Sequence, residues 1–241
     1  TLLLFACTTS PEIDTSSTFT VTQPTVQPEI VPFENPIEAV DIDDDPNIHH
    51  IELVADHHTY TVHGYEIEGY AYNQVIPGPT IRAKVGDKLI VDLTNNLDTP
   101  TTIHWHGVDV PWDQDGVVWM QEPVEAGDEK RYEFTLNRAM TAWYHPHFDT
   151  EKQIDLGLYG VLIVEEPEAP RAEQELTLVF DSWKEFSGTV KMPMMAAGDN
   201  HDHGESGWVS PHDWTVNSMM VPTISAVGGE RIRARLVNTS N

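Results

Sequence analysis

This sequence predicts an all-β protein, a Greek-key sandwich or barrel of short strands, and three observations carry the prediction. Apolar and polar residues alternate with period two in runs such as H-T-Y-T-V-H, Y-E-I-E-G-Y-A-Y, T-I-R-A-K-V and K-L-I-V-D-L-T. Turn signals separate these runs, notably P-G-P, V-G-D-K and N-N-L-D. From Ile48 onward no long amphipathic helical period occurs. Strands at this spacing over about 120 residues are enough to enclose one core.

The chain divides into three segments. Residues 1–45 read as a truncated lipoprotein-type signal followed by an acidic tether. The first seven, T-L-L-L-F-A-C, are apolar and end in the only cysteine, with no starting Met and no basic flank. Cys7 is then the residue that would be lipidated, in an exported, periplasmic or cell-surface bacterial protein whose true N-terminus is missing. The alternative is a frayed apolar terminus with a chance cysteine. Residues 8 to 45 contain nine acidic residues and no Lys or Arg. Such a stretch buries too little apolar surface to offset its ordering entropy, so disorder is expected, and brief proteolysis should leave a core beginning near Asn47.

The tether carries nine of the 26 net negative charges, and the first basic residue of the chain is Arg82. This balance argues against nucleic acid as a partner and against recruitment by an anionic membrane surface, which leaves a lipid at Cys7 as the membrane attachment.

Residues 46–167 form the first β domain. Within it, T-T-I-H-W-H-G (Thr101 to Gly107) and A-W-Y-H-P-H (Ala142 to His147) each hold two histidines one residue apart in strand-forming sequence. Side chains alternate across a strand, so His104 and His106 share one face while Trp105 takes the other, and His145 and His147 are expected to share a face likewise. Two such strands brought together make a wall of four imidazoles. Imidazole donors with no thiolate and no alternating carboxylate favour a transition metal such as copper, zinc, nickel or iron over calcium or magnesium. Scattered surface histidines are the competing account of either pair alone. His57 and His58 carry no motif and read as surface residues.

Residues 168–241 follow an acidic, Pro-containing connection, E-E-P-E-A-P-R-A, and open with the strand E-L-T-L-V-F-D-S-W. They read as the start of a second, incomplete β domain. The segment K-M-P-M-M-A-A-G-D-N-H-D-H-G, with His201 and His203, offers soft thioether and imidazole donors, but a plain loop is its simpler reading.

The order of text around the histidines carries a resemblance. H-W-H-G-V-D-V-P is followed by D-Q-D-G-V-V-W-M-Q-E-P-V-E-A-G, then W-Y-H-P-H, then G-L-Y-G-V-L-I-V, with I-P-G-P-T-I-R-A-K-V-G-D ahead of them all. This resembles the first cupredoxin domain of the multicopper oxidases, the family of laccases, cuprous oxidases and ferroxidases, strongly over residues 60 to 167 and more loosely beyond. The resemblance implies a cupredoxin-like fold, complete in the first domain and partial in the second. It implies copper as cofactor, with His104 on the type 2 ion and His106, His145 and His147 on the type 3 pair. Asp115 falls where the family has a carboxylate near the cluster that helps deliver protons, although a turn aspartate before Gly116 is an equal account. Trp105, Trp143 and Tyr144 read as core or as shielding of the cluster.

The implied reaction is one-electron oxidation of a phenol or a metal ion such as Cu(I), Fe(II) or Mn(II), coupled to four-electron reduction of dioxygen to water. In that family, four His-X-His motifs hold the cluster and a Cys-containing mononuclear copper accepts the electrons. Only two of the motifs are present here, and no cysteine follows Cys7. The chain therefore reads as an N-terminal fragment, inactive alone, of a protein that is a monomer if it has three domains. A non-catalytic copper-binding or scaffold protein of the same fold is the alternative. A copper nitrite reductase is disfavoured because its first domain carries a cysteine.

Overall fold

The structure is a computed structural model and describes residues 31–62, 65–166, 168–183, 213–220 and 222–240. Cys7 and the Met- and His-containing segment 191–204 lie outside the described residues. The strands, in chain order, are β1 (Val31–Pro32), β2 (Ile48–Val62), β3 (Tyr65–Tyr72), β4 (Gly78–Lys84), β5 (Lys88–Asn95), β6 (His104–His106), β7 (Glu129–Thr135), β8 (Met140–His145), β9 (Gly160–Glu165), β10 (Gln174–Trp183), β11 (Asp213–Val216), β12 (Pro222–Thr223) and β13 (Ile232–Asn238). A single α-helix among the described residues, α1 (Thr150–Asp155), lies between β8 and β9. At six residues it is too short to produce an amphipathic period in the sequence.

Two four-stranded sheets enclose the main core, in the orders β3-β2-β5-β7 and β4-β9-β8-β6. Both mix pairings. β2 runs parallel to β5 and β4 parallel to β9, whereas the remaining neighbours are antiparallel. These connections between sheets produce a Greek-key sandwich, and the fold is cupredoxin-like. Strand β5 shows why the sequence folds this way: its residues alternate strictly, with Leu89, Val91, Leu93 and Asn95 buried and the intervening side chains only partly covered. From the first sheet, Ile51, Leu53, Val91, Leu93, Tyr132 and Phe134 meet Ile81, Ala83, Trp105, Ala142, Tyr144, Leu162 and Val164 of the second.

Strand β9 differs because both of its faces are covered. Leu162 and Val164 face the main core, while Val161 and Ile163 pack with Ile154, Tyr159, Val179 and Val237. The last two belong to a third sheet, ordered β11-β10-β13, in which β10 runs parallel to β13. The unbroken apolar run G-V-L-I-V is the sequence mark of a strand covered on both sides. An ion-pair cluster joins the sheets at their edge. Glu175 accepts hydrogen bonds from Arg82, Arg233 and Arg235, and Arg82 also reaches Glu165 and Glu38.

Residues 31–45 correct the expectation of an unstructured tether over 8 to 45. The part that is described is a strap along the sheets. β1 pairs with β12, the Ala39 N–H donates to the Thr80 carbonyl, and the Thr80 N–H donates to the Ile37 carbonyl. Further on, the Asp41 carboxylate meets both the His50 N–H and the His49 ring. Composition signals disorder when no partner compensates the ordering entropy, and here backbone hydrogen bonds to β2 and β4 compensate it without needing apolar side chains.

Candidate metal centre

The site forms where β6, an edge strand, pairs antiparallel with β8. The register sets His104 opposite His145, Trp105 opposite Tyr144 and His106 opposite Trp143. Directly opposed residues share a face, so His104, His106, His145 and Trp143 all lie on one side. On the other side Trp105 and Tyr144 are fully buried in the main core. The alternation expected for H-W-H therefore holds.

His147 reaches the wall by another route. Strand β8 ends at His145, and Pro146, which has no N–H, cannot extend the ladder. The His147 backbone N–H instead donates to Thr102 Oγ1 at 2.8 Å, just upstream of β6. Its ring lies 4.2 Å from that of His104 and 5.3 Å from that of His145. Thr102 is itself anchored through its neighbour, because Thr101 Oγ1 donates to Gln153 Oε1 in buried surroundings and Gln153 Nε2 donates to the Pro100 carbonyl. Gln153, on α1, is thus a supporting residue that the sequence motifs do not reveal.

The ring nitrogens are oriented by acceptors. His104 Nδ1 donates to the Asp115 carbonyl at 2.8 Å and lies 3.2 Å from the Asp115 carboxylate. His145 Nδ1 donates to the Pro146 carbonyl at 2.9 Å. A carbonyl oxygen accepts only, so each Nδ1 carries the proton and each Nε2 presents a lone pair, the arrangement by which carbonyls prepare imidazoles for metal. The loop that brings Asp115 here needs Gly116. Its φ is +74°, and a Cβ at that position would come within 1.8 Å of the Ile103 carbonyl oxygen.

The ligand atoms of His104, His145 and His147 all fall within 4.8 Å of one another, and His106 Nδ1 is 3.3 Å from His145 Nε2. Two nitrogens each about 2.0–2.1 Å from one ion at a tetrahedral angle are roughly 3.3 Å apart, so the residues fit a bound transition metal. The electrostatics agree. Burial, with the neighbouring rings adding to it, pushes the His145 imidazole down to about 3, and His106 and His147 are likewise lowered, by burial first and then by His104. These rings are neutral near pH 7 and ready to ligate.

Comparison with known proteins decides what this donor set belongs to. A family model described as multicopper oxidase matches residues 54–169, which contain all four histidines and Asp115. The chain belongs to the multicopper oxidase family. Multicopper oxidase MmcO of Mycobacterium tuberculosis is 30% identical over 194 residues, covering 70% of this chain and 38% of that protein. Multicopper oxidase mco of Staphylococcus haemolyticus is 34% identical over 178 residues, covering 70% of this chain and 37% of its own length. Among solved structures, a multi-copper oxidase from Pseudomonas thermotolerans aligns with a TM-score of 0.68 and 33% identity over 80% of this chain and 47% of that one. The chain thus spans less than half the length of these multicopper oxidases. Membership of the family implies copper as the metal. No helix among the described residues is long and apolar enough to cross a membrane.

Proposed function

We propose that His104, His106, His145 and His147 hold copper in an oxidase that couples one-electron oxidation of a substrate to four-electron reduction of dioxygen to water. The observation that carries this reading is the convergence of four imidazoles from β6 and the end of β8, two of them fixed by carbonyl acceptors. Copper, when bound, supplies the electron transfer. The chain's own residues hold and orient it. His104 serves the type 2 position, and His106, His145 and His147 serve the type 3 pair.

Asp115 does two things in this reading. Its carbonyl fixes the His104 ring, while its carboxylate, partly exposed at the rim, holds and releases protons beside the site. The reducing substrate is a phenol or a metal ion such as Cu(I), Fe(II) or Mn(II). The protein is exported and held by a lipid at Cys7, with a domain boundary near residue 168. With Cys7 as its only cysteine, this chain supplies no thiolate for an electron-accepting copper, so the 241-residue chain alone consumes no dioxygen. A purely structural cupredoxin-like protein has no use for four convergent imidazoles, which is what favours the oxidase.

The test is copper binding by the 241-residue chain under anaerobic competition with a chelator. Each single His→Ala change at the four positions should lower affinity or stoichiometry, while His57→Ala and His58→Ala should not. If His106→Ala bound copper with wild-type affinity and stoichiometry, that ring would not be a ligand.

A further inference from the structure

Trp143 stands on the ligand side of β8, directly opposite His106. It is half-buried and stacks on the His145 ring, with centroids 4.0 Å apart and planes 25° apart. The His106 ring lies 5.1 Å away at 32°. The indole therefore stacks on one and leans at about 32° toward the other of the two imidazoles whose nitrogens approach to 3.3 Å. Behind it, Trp143 packs against the cluster of Ile154, Tyr159, Val161, Ile163, Val179 and Val237, so β9, β10 and β13 together press it toward the histidines.

Rotation of an imidazole about its second side-chain torsion is soft, with a broad minimum, so a ring plane has to be set by contacts. For His104 and His145 a carbonyl acceptor helps to set it. His106 has no such acceptor. Among the described residues, the one hydrogen-bonding contact of its ring is His145 itself, and its outward side is exposed. Of the rings around it, the indole is the nearest, at 5.1 Å against 5.5 Å for His145 and 5.8 Å for His104, and it is the one not itself read as a ligand. The same indole fixes the plane of His145, so one side chain sets the mutual aim of the pair.

We infer that Trp143 is the positioning residue of this wall, holding the His106 and His145 rings at the angle at which both nitrogens address one site. It carries the packing of the third sheet to the ligands. This rests on the reading of these two rings as copper ligands. A mere core-filling role would predict that any apolar residue of adequate bulk serves as well.

The experiment uses the 241-residue chain with two probes, Cu(I) in chelator competition and Co(II) for its ligand-field spectrum. Trp143→Leu is expected to weaken Cu(I) binding by about tenfold or more and to alter the Co(II) bands, as loss of a group that orients a ligand does. Trp143→Phe, which keeps an aromatic face, should restore most of the affinity and the wild-type spectrum. Denaturant midpoints are measured alongside. Should Trp143→Leu fail to fold, Val237→Ala loosens the packing behind the indole without touching the rings, and is expected to shift the Co(II) spectrum in the same direction. Wild-type affinity and spectrum in folded Trp143→Leu, or in Val237→Ala where that variant stands in, would overturn the inference while leaving the ligand reading intact. So would equal losses in the Leu and Phe variants that track the denaturant midpoint. Failure of the wild-type chain to bind either metal would overturn both.

Discussion

His104 Nδ1 lies 2.8 Å from the backbone carbonyl oxygen of Asp115 and 3.2 Å from the carboxylate of the same residue. The two oxygens separate two roles that a motif cannot distinguish. The carbonyl belongs to the backbone and survives any substitution at 115, whereas the carboxylate does not. Asp115→Asn should therefore leave copper binding close to wild type, because the His104 tautomer and ring plane are still set. In the complete oxidase, oxygen consumption should fall by about 100-fold or more if the carboxylate moves protons. A variant that lost copper as severely as His104→Ala would show the carboxylate to be structural instead.

Gly116 makes that carbonyl available, which leads to a second prediction. Gly116→Ala meets both a φ of +74° and a Cβ 1.8 Å from the Ile103 carbonyl oxygen. Backbone strain alone costs about 1–3 kcal/mol, and the clash must displace the loop as well. Gly107 has a similar φ of +78° but open space around its Cβ, so Gly107→Ala should cost only about 1–2 kcal/mol. Urea unfolding of the two variants measures the difference, and copper affinity should fall for Gly116→Ala alone. Equal destabilisation, with copper binding unaffected in both, would mean that the loop yields without moving Asp115.

Much of this arrangement was legible in the sequence because strand alternation is local. H-W-H places two imidazoles on one face and an indole in the core, and the run that forms β5 shows its alternation directly, whereas β4 and the end of β3 are buried over successive residues. Position 147 was harder. Pro146 ends the ladder, and the His147 backbone N–H is held by Thr102, 45 residues away in sequence. Gln153 on α1 and the carbonyl of Asp115 were invisible for a related reason, since one acts through a tertiary hydrogen bond and the other through backbone that every residue has. Composition reports side chains and is silent about the strap, whose contacts with β2 and β4 are largely backbone hydrogen bonds.

The cluster around Glu175 gives the fold an acid limit. Burial alone raises this carboxyl, but hydrogen bonds from Arg235, Arg82 and Arg233 outweigh it and bring it down to about 2. Asp92, paired with both Arg131 and His50, is also brought down to about 2. An ordinary unfolded carboxyl titrates near about 4. A pKa depressed in the folded state means that the stabilisation is fully present above about pH 4 and is lost as pH falls toward 2. The thermal midpoint of Glu175→Gln should lie below wild type at pH 6, and the gap should close as pH approaches 2. A gap of the same size at both pH values would show that the loss is one of packing rather than charge.

His49 fastens the strap, and its removal tests whether residues 31–45 belong to the folded unit. One ring nitrogen lies 2.7 Å from Asp41 Oδ2 on the strap, and the other lies 2.9 Å from Asp87 Oδ2 in the turn between β4 and β5. Asp87 is almost fully buried, and its remaining donor is the Lys84 N–H at 2.7 Å. His49→Ala takes a partner from each carboxylate at once, and leaving a buried acceptor short of a donor costs about 1–3 kcal/mol. The loss should concentrate where the strap meets β2. Two amides report it: Ala39, whose N–H donates to the Thr80 carbonyl, and Ile42, whose N–H donates to the His50 carbonyl. Both should be protected from hydrogen exchange in the wild type. In His49→Ala, Ile42 should exchange markedly faster, while the amide of Leu93 in the middle of β5 changes only as much as global stability does. Rapid exchange of Ala39 and Ile42 in the wild type would return the strap to the status of a tether. Unchanged exchange in the variant would show that the backbone bonds hold it without His49.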